Sequence, residues 1–205
     1  MRRYLPIVAL VAALGACRAP SRQTTGSPKT QSGAALLSSV CAGPEYRQFD
    51  FWIGEWDLRI RTRKALGSAE WDEAAGTQRV ETILSGCAIA EHFRGDGPGA
   101  PWAGESYSAW QPTLHKWRQT WVDDQGGFLA FVGSVDEGVM TLRGEPTTTP
   151  KGATIHMRMV FLDVTPSALR WEWQRSVDDG ASWDAQMIIH YRRRTPTPRR
   201  TPTPP

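Results

Sequence analysis

The sequence is poor in the side-chain clusters that metal and nucleophilic chemistry needs. Its four histidines are His92, His115, His156 and His190, and none stands at ligand spacing from another histidine or a cysteine. There is no His-Glu-x-x-His, no phosphate-binding Gly-x-x-x-x-Gly-Lys and no Gly-x-Ser-x-Gly. No metal site and no catalytic residue can be assigned from motifs, so an enzyme activity stays open but is less expected than a binding role. Helical periodicity is nearly absent as well. The apolar run Leu5–Leu14, broken only by Pro6, is too short to cross a bilayer as a permanent helix. Acidic residues are missing from both ends. Residues 1–41 and 195–205 hold seven of the 24 basic residues and none of the 21 acidic ones, which leaves 17 basic against 21 acidic, a net of −4. The basic balance belongs to the ends, and a nucleic-acid partner is not expected.

The N-terminus has the three parts of an export signal. Arg2 and Arg3 precede the apolar run, and Leu14-Gly15-Ala16-Cys17 ends it. The last four residues resemble the lipobox of bacterial lipoproteins. That resemblance implies cleavage before Cys17 and lipid on it, hence a membrane partner through the acyl chains. Arg18, with no aspartate after the cysteine, points to the outer membrane. The expected location is the bacterial cell envelope, on the periplasmic face of that membrane. Residues 1–16 are the expected signal and 17–40, rich in Ser, Thr, Gly, Gln and Pro, a flexible tether. Residues 195–205, TPTPRRTPTPP, read as a disordered tail.

The remaining cysteines, Cys41 and Cys87, form an even pair in a compartment that permits disulfides. Our hypothesis is that they pair and pin the N-terminal lead to the domain. Two buried free thiols are the alternative.

Residues 41–194 form one domain of sufficient size for a real core. Short segments rich in Val, Ile, Thr and aromatics alternate with turn-forming residues. Strands are expected near 55–63, 77–84, 87–95, 103–111, 115–123, 127–134, 137–144, 152–162, 167–176 and 183–193, with a helical turn near Pro44–Phe51. Asp124-Gln125-Gly126-Gly127, Asp136-Glu137-Gly138 and Asp178-Asp179-Gly180 are tight-turn material. Ten strands with short links avoid open edges best by closing, so the expected fold is an all-β, antiparallel up-and-down barrel. Period-2 alternation groups Ile89, Glu91 and Phe93 on one face. It likewise groups Trp117, Gln119, Trp121 and Asp123; Met157, Met159 and Phe161; and Trp171, Trp173 and Arg175. Glu91 and His92 then face opposite sides, which excludes a simple shared site.

Gly54-x-Trp56, inside Phe49-Asp50-Phe51-Trp52-Ile53-Gly54-Glu55-Trp56-Asp57, resembles the Gly-x-Trp signature of lipocalins. That likeness implies a Trp closing the barrel bottom, with an Arg from the last strand stacked on it. Arg192, Arg193 and Arg194 are candidates, and Arg192 is taken forward with Gly54 and Trp56. Together with SGCAIAEHF, KWRQTWVDDQGG, RWEWQRSVDDGASW and the closing HYRRR, the chain is similar over residues 41–194 to a bacterial family of uncharacterised exported proteins. The family implies a lipocalin-like barrel and no activity. Ser176-x-Asp178-x-Gly180-x-Ser182-Trp183 resembles a sialidase Asp-box, which implies a tied hairpin turn and no catalysis.

A Trp/Met-rich inner face with sparse polar groups suits a binding barrel for a small apolar or amphipathic ligand. The candidate contacts are Glu91, Trp117, Gln119, Trp121, Asp123, Arg158 and Trp173. Two other readings stay open: a haem-binding barrel with His190 as axial ligand, and a filled barrel acting as an envelope scaffold that binds a partner protein. No cofactor is strongly implied.

Overall fold

The computed structural model describes residues 40–97, 101–150 and 152–195. The expected signal, the expected lipid attachment at Cys17, the expected tether up to residue 39 and the expected tail beyond Thr195 lie outside these residues. Among the described residues no helix is long and apolar enough to cross a membrane.

Ten long strands dominate. They are β1 (Gly54–Arg63), β2 (Trp71–Ile83), β3 (Ala88–Asp96), β4 (Pro101–Gln111), β5 (Lys116–Asp123), β6 (Phe128–Asp136), β7 (Val139–Gly144), β9 (Thr154–Leu162), β10 (Ala168–Ser176) and β11 (Asp184–Arg193), with a two-residue strand, β8 (Thr147–Thr148), between β7 and β9. Neighbouring long strands pair antiparallel in chain order from β1 to β7, then β7 with β9, β9 with β10 and β10 with β11. β11 returns to pair with β1, from Trp56 opposite Arg193 to Thr62 opposite Met187. The sheet is therefore a closed barrel, and β8 is an addition on the edge of β9. Closure satisfies the backbone donors and acceptors that an open edge would leave for water or another chain.

The expected turns occupy three of the connections. Glu137 and Gly138 both have positive φ, 49° and 81°, between the paired Asp136 and Val139. That is the backbone a two-residue hairpin requires. One strand begins earlier than its sequence suggests. β2 starts at Trp71 and not near residue 77, because the β1 ladder runs its full length to Arg63 opposite Trp71. Trp-Asp-Glu-Ala-Ala-Gly carries no β-branched residue, so local propensity hides it. Outer-face contacts fix it instead: Arg59 bonds Glu73 at 2.9 Å, and the Arg63 guanidinium lies 4.6 Å over the Trp71 ring.

Before β1 the chain makes two single 3-10 turns, Pro44–Arg47 and Asp50–Trp52; Tyr46 is buried, and Phe49 and Trp52 join the barrel core. A disulfide joins Cys41 to Cys87 across a sequence separation of 46. Arg47 reinforces it by donating to the carbonyl of Gly86 at 2.8 Å.

Candidate ligand cavity

The barrel interior has a filled end and a hollow end. The plug fills the first. Phe49 is fully buried and meets Trp117 edge-on at 4.8 Å and Phe161 at 5.4 Å. Trp117 also donates its indole N–H to Gln48 Oε1 at 3.0 Å. Buried Trp56 donates to the carbonyl of Trp52 at 2.8 Å and meets Tyr191 edge-on.

Arg193 seals this end. Its guanidinium lies 4.1 Å over the Trp56 ring and donates to the carbonyls of Ile53 at 2.6 Å and Phe51 at 3.2 Å. Its Nε donates to Pro166 O at 2.7 Å. Gly54, at φ +136°, makes room, since a Cβ there would stand 2.2 Å from Arg193 Nη1. This corrects the choice of Arg192. Trp56 and Arg193 are direct ladder partners on the inner face, whereas Arg192 stands opposite Asp57 and is exposed. Arg194, on that same outer side, donates to Asp57 Oδ1 at 2.6 Å.

The other end holds a cavity of about 280 Å³. One wall is Phe93 of β3, Trp102 of β4 and Trp121 of β5, with Phe93 and Trp102 at 4.4 Å between ring centroids. The facing wall is built from β6, β9, β10 and β11 by Phe131, Met159, Trp171, Trp173, Met187 and Ile189. Trp171 and Trp173 lie stacked at 6.4 Å, and Phe131 meets Trp173 edge-on at 5.5 Å. Glycines give the rings their space. A Cβ on Gly95 would come within 2.6 Å of the Trp102 indole, and one on Gly104 within 2.1 Å of the Trp121 ring.

Polar groups reach this cavity at few points. Gln119 donates to Ser108 Oγ at 2.9 Å and Ser106 Oγ at 3.2 Å, and Ser106 donates to Glu91 Oε2 at 2.5 Å. Burial pushes the Glu91 carboxyl up to about 7, against the pull of the Ser106 hydroxyl. Tyr191 donates to Gln78 Oε1 at 3.0 Å; burial, then the charge of Glu91, hold its phenol well above the usual value. Among the described residues Trp52 Nε1 and Gln78 Nε2 are buried donors without a partner. At the far end of β5, Asp123 accepts from Trp121 Nε1 at 2.9 Å and from the backbone N–H groups of Gly127 at 2.7 Å and Gln125 at 3.0 Å. Those bonds hold its carboxyl below the ordinary range, the Trp121 indole first.

Of the candidates, Glu91, Gln119, Trp121, Asp123 and Trp173 line the cavity together. Two do not. Trp117 shares the inner face of β5 but sits at the plugged end. Arg158 points outward, opposite to Met159, where it donates to Gln174 Oε1 at 2.6 Å and stacks 4.0 Å over Trp183. His190 is exposed between inward Ile189 and Tyr191, so it offers no axial ligand to a haem in the interior. A barrel filled throughout is likewise corrected by the cavity. His92 faces out, between Glu81 at 3.3 Å and Glu105 at 3.2 Å, while its neighbour Glu91 faces in. Among the described residues no group of three or more His, Cys, Asp or Glu is placed to hold a metal ion. Trp52, Trp102, Met187 and Tyr191 were not among the sequence candidates. Alternation through Ile189 could have found Met187 and Tyr191.

The Asp-box-like segment is the β10–β11 turn. Asp178 accepts from Ser176 Oγ, Ser182 N and Ser182 Oγ, and Trp183 donates to Gly180 O at 3.0 Å. The hydroxyl and amide of Ser182, chiefly, lower its carboxyl to about 2.

A family model described as "Protein of unknown function (DUF1579)" matches residues 42–193. None of the curated proteins compared matches the chain. Among solved structures, the S-type phycobiliprotein lyase from Guillardia theta is similar at a TM-score of 0.50 with 9% identity, over 83% of this chain and 100% of that one. A redesigned β-barrel aligns at a TM-score of 0.36 with 12% identity, over 73% of this chain and 96% of that one. At 9% identity the lyase likeness shows the barrel fold alone.

Proposed function

The chain belongs to the DUF1579 family of proteins of unknown function, and we propose that it binds a compact, mainly apolar molecule in the hollow end of its barrel. The cavity carries this reading. Its volume of about 280 Å³ stands close to the lower end of small-molecule sites, roughly 300–1,000 Å³, and its walls are aromatic and thioether side chains with few polar atoms. A barrel that needed only stability would gain by filling that space, since an unfilled apolar volume costs on the order of 24 cal/mol per Å³. Thermal-shift and native mass-spectrometry screens of the purified protein against small apolar and amphipathic compounds test it. Stabilisation together with a one-to-one adduct is expected; a screen with neither removes the binding function.

In this proposal the barrel works as a lipoprotein in the bacterial envelope, on the periplasmic face of the outer membrane. The lipobox-like Leu14-Gly15-Ala16-Cys17 supports the anchor, and a Cys41–Cys87 disulfide suits an oxidising compartment. Metabolic labelling with an alkynyl fatty acid is expected to mark the wild type and spare Cys17→Ala. Unlabelled wild-type protein would remove the anchor.

A further inference from the structure

We propose that the cavity is built for a hydrophobic cation: a compact molecule whose protonated or quaternary nitrogen sits in an apolar frame, with Glu91 as its counter-charge. This rests on the cavity-binding reading and narrows it to a ligand class.

The charge inventory of the lining is one-sided. Glu91 and Asp123 line the cavity, and among the described residues no Lys, Arg or His does. The two carboxylates differ in what they have left to give. Asp123 already holds three N–H donors from its own strand and turn. Glu91 is buried and, among the described residues, receives one hydroxyl, that of Ser106. A carboxylate has about four acceptor sites, so Glu91 has unspent capacity beside the cavity. A buried carboxylate with no opposite charge is unfavourable by several kcal/mol in general, and a cation placed next to it reverses that. An anion would meet the opposite situation.

The walls fit the same class. Trp102, Trp121, Trp171 and Trp173 all line the space, and aromatic rings attract cations most when water is excluded. A cage of aromatic rings with one acid is how proteins commonly hold ammonium groups.

The groups that titrate near Glu91 do not confuse the sign. Tyr191, facing it from β11, keeps its proton across the ordinary range. Gln78 on β2 and Ser106 on β4 do not titrate. Asp123 stays ionised at and above neutral pH. His92 lies on the outer face between Glu81 and Glu105. Burial raises the Glu91 carboxyl, so an empty cavity is partly protonated at neutrality and a bound cation would expel that proton.

Benzyltrimethylammonium and neopentylbenzene have the same shape and differ by one charge. Calorimetric titration of the purified protein with each, at pH 5 and pH 8, tests the proposal, with Glu91→Gln alongside. At pH 8 the cation is expected to bind at least tenfold tighter than the hydrocarbon, and at pH 5 that preference should shrink severalfold. Glu91→Gln should abolish that preference at pH 8. A hydrocarbon that binds as well as the cation at pH 8, or a preference that survives in Glu91→Gln, overturns the cation class and leaves the apolar cavity standing. Binding of neither overturns both. The pH comparison in the wild type keeps the test decisive even if the variant does not fold.

Discussion

Arg193 stacks 4.1 Å over the Trp56 ring and at the same time donates to three backbone carbonyls, those of Ile53, Phe51 and Pro166. One side chain thus ties the last strand to the plug and to the β9–β10 connection, and closes the filled end of the barrel. Arg193→Ala should cost about 3 kcal/mol, since it removes a cation–π contact and charged hydrogen bonds together. Arg192→Ala, exposed on the other face, should stay within about 0.5 kcal/mol. Urea unfolding of the two variants measures the contrast. Equal losses would mean that the inner-face pairing of Trp56 and Arg193 is not what holds this end.

The disulfide closes a loop of 46 residues around β1 and β2. In the chain-entropy model such a loop contributes about 4 kcal/mol. The Cys41→Ser/Cys87→Ser double variant should lose on the order of that amount in denaturant unfolding and keep the barrel's circular dichroism. Alkylation without reductant should label neither cysteine in the wild type. Two labelled thiols would contradict the pairing.

Glu91 makes the fold sensitive to pH. Its carboxyl titrates near 7 in the folded barrel against an ordinary 4.5. Between those values the folded state holds a proton that the unfolded chain releases, so stability falls as pH rises from about 4.5 to 7. Above 7 the loss is complete, at about 3 kcal/mol. Glu91→Gln should remove this slope and raise the wild-type midpoint temperature at pH 8, with little change at pH 4.5. A flat wild-type profile from pH 4.5 to 8 would show that Glu91 is not held in an apolar setting.

Gly104 sets the position of the Trp121 ring. Gly104→Ala brings a methyl to 2.1 Å from that ring, which must then swing away from its bond to Asp123. A loss of about 1–3 kcal/mol, typical of overpacking, is expected together with a changed near-ultraviolet dichroism. An unchanged near-ultraviolet spectrum would mean that Trp121 does not cross Gly104.

These relationships were unevenly legible in the chain. Alternation and turn residues were enough for ten antiparallel strands and a closed barrel, because period 2 and Gly/Asp turns are local signals. The start of β2 was hidden, since Trp71–Gly76 owes its extended form to Arg59, Arg63 and the β1 ladder and not to its own propensity. Arg192 and Arg193 differ by one position, and in a strand one residue changes the face. The alternation had already set Arg158 opposite Met159. Trp117 and Trp121 share a face and differ only in depth along the barrel, which alternation does not encode. Trp52 could not be placed at all, because it enters from a 3-10 turn ahead of the first strand.

Filling the hollow end tests most directly whether it takes an apolar molecule. Met187 lines the cavity, so Met187→Trp should occupy much of the space while remaining apolar. Calorimetric titration with 1-methylnaphthalene should give saturable one-to-one binding to the wild type. It should give none to the variant, whose circular dichroism and melting remain those of a folded barrel. No saturable binding to the wild type, or equal binding to the filled variant, would mean that the hollow end is not a site for an apolar molecule.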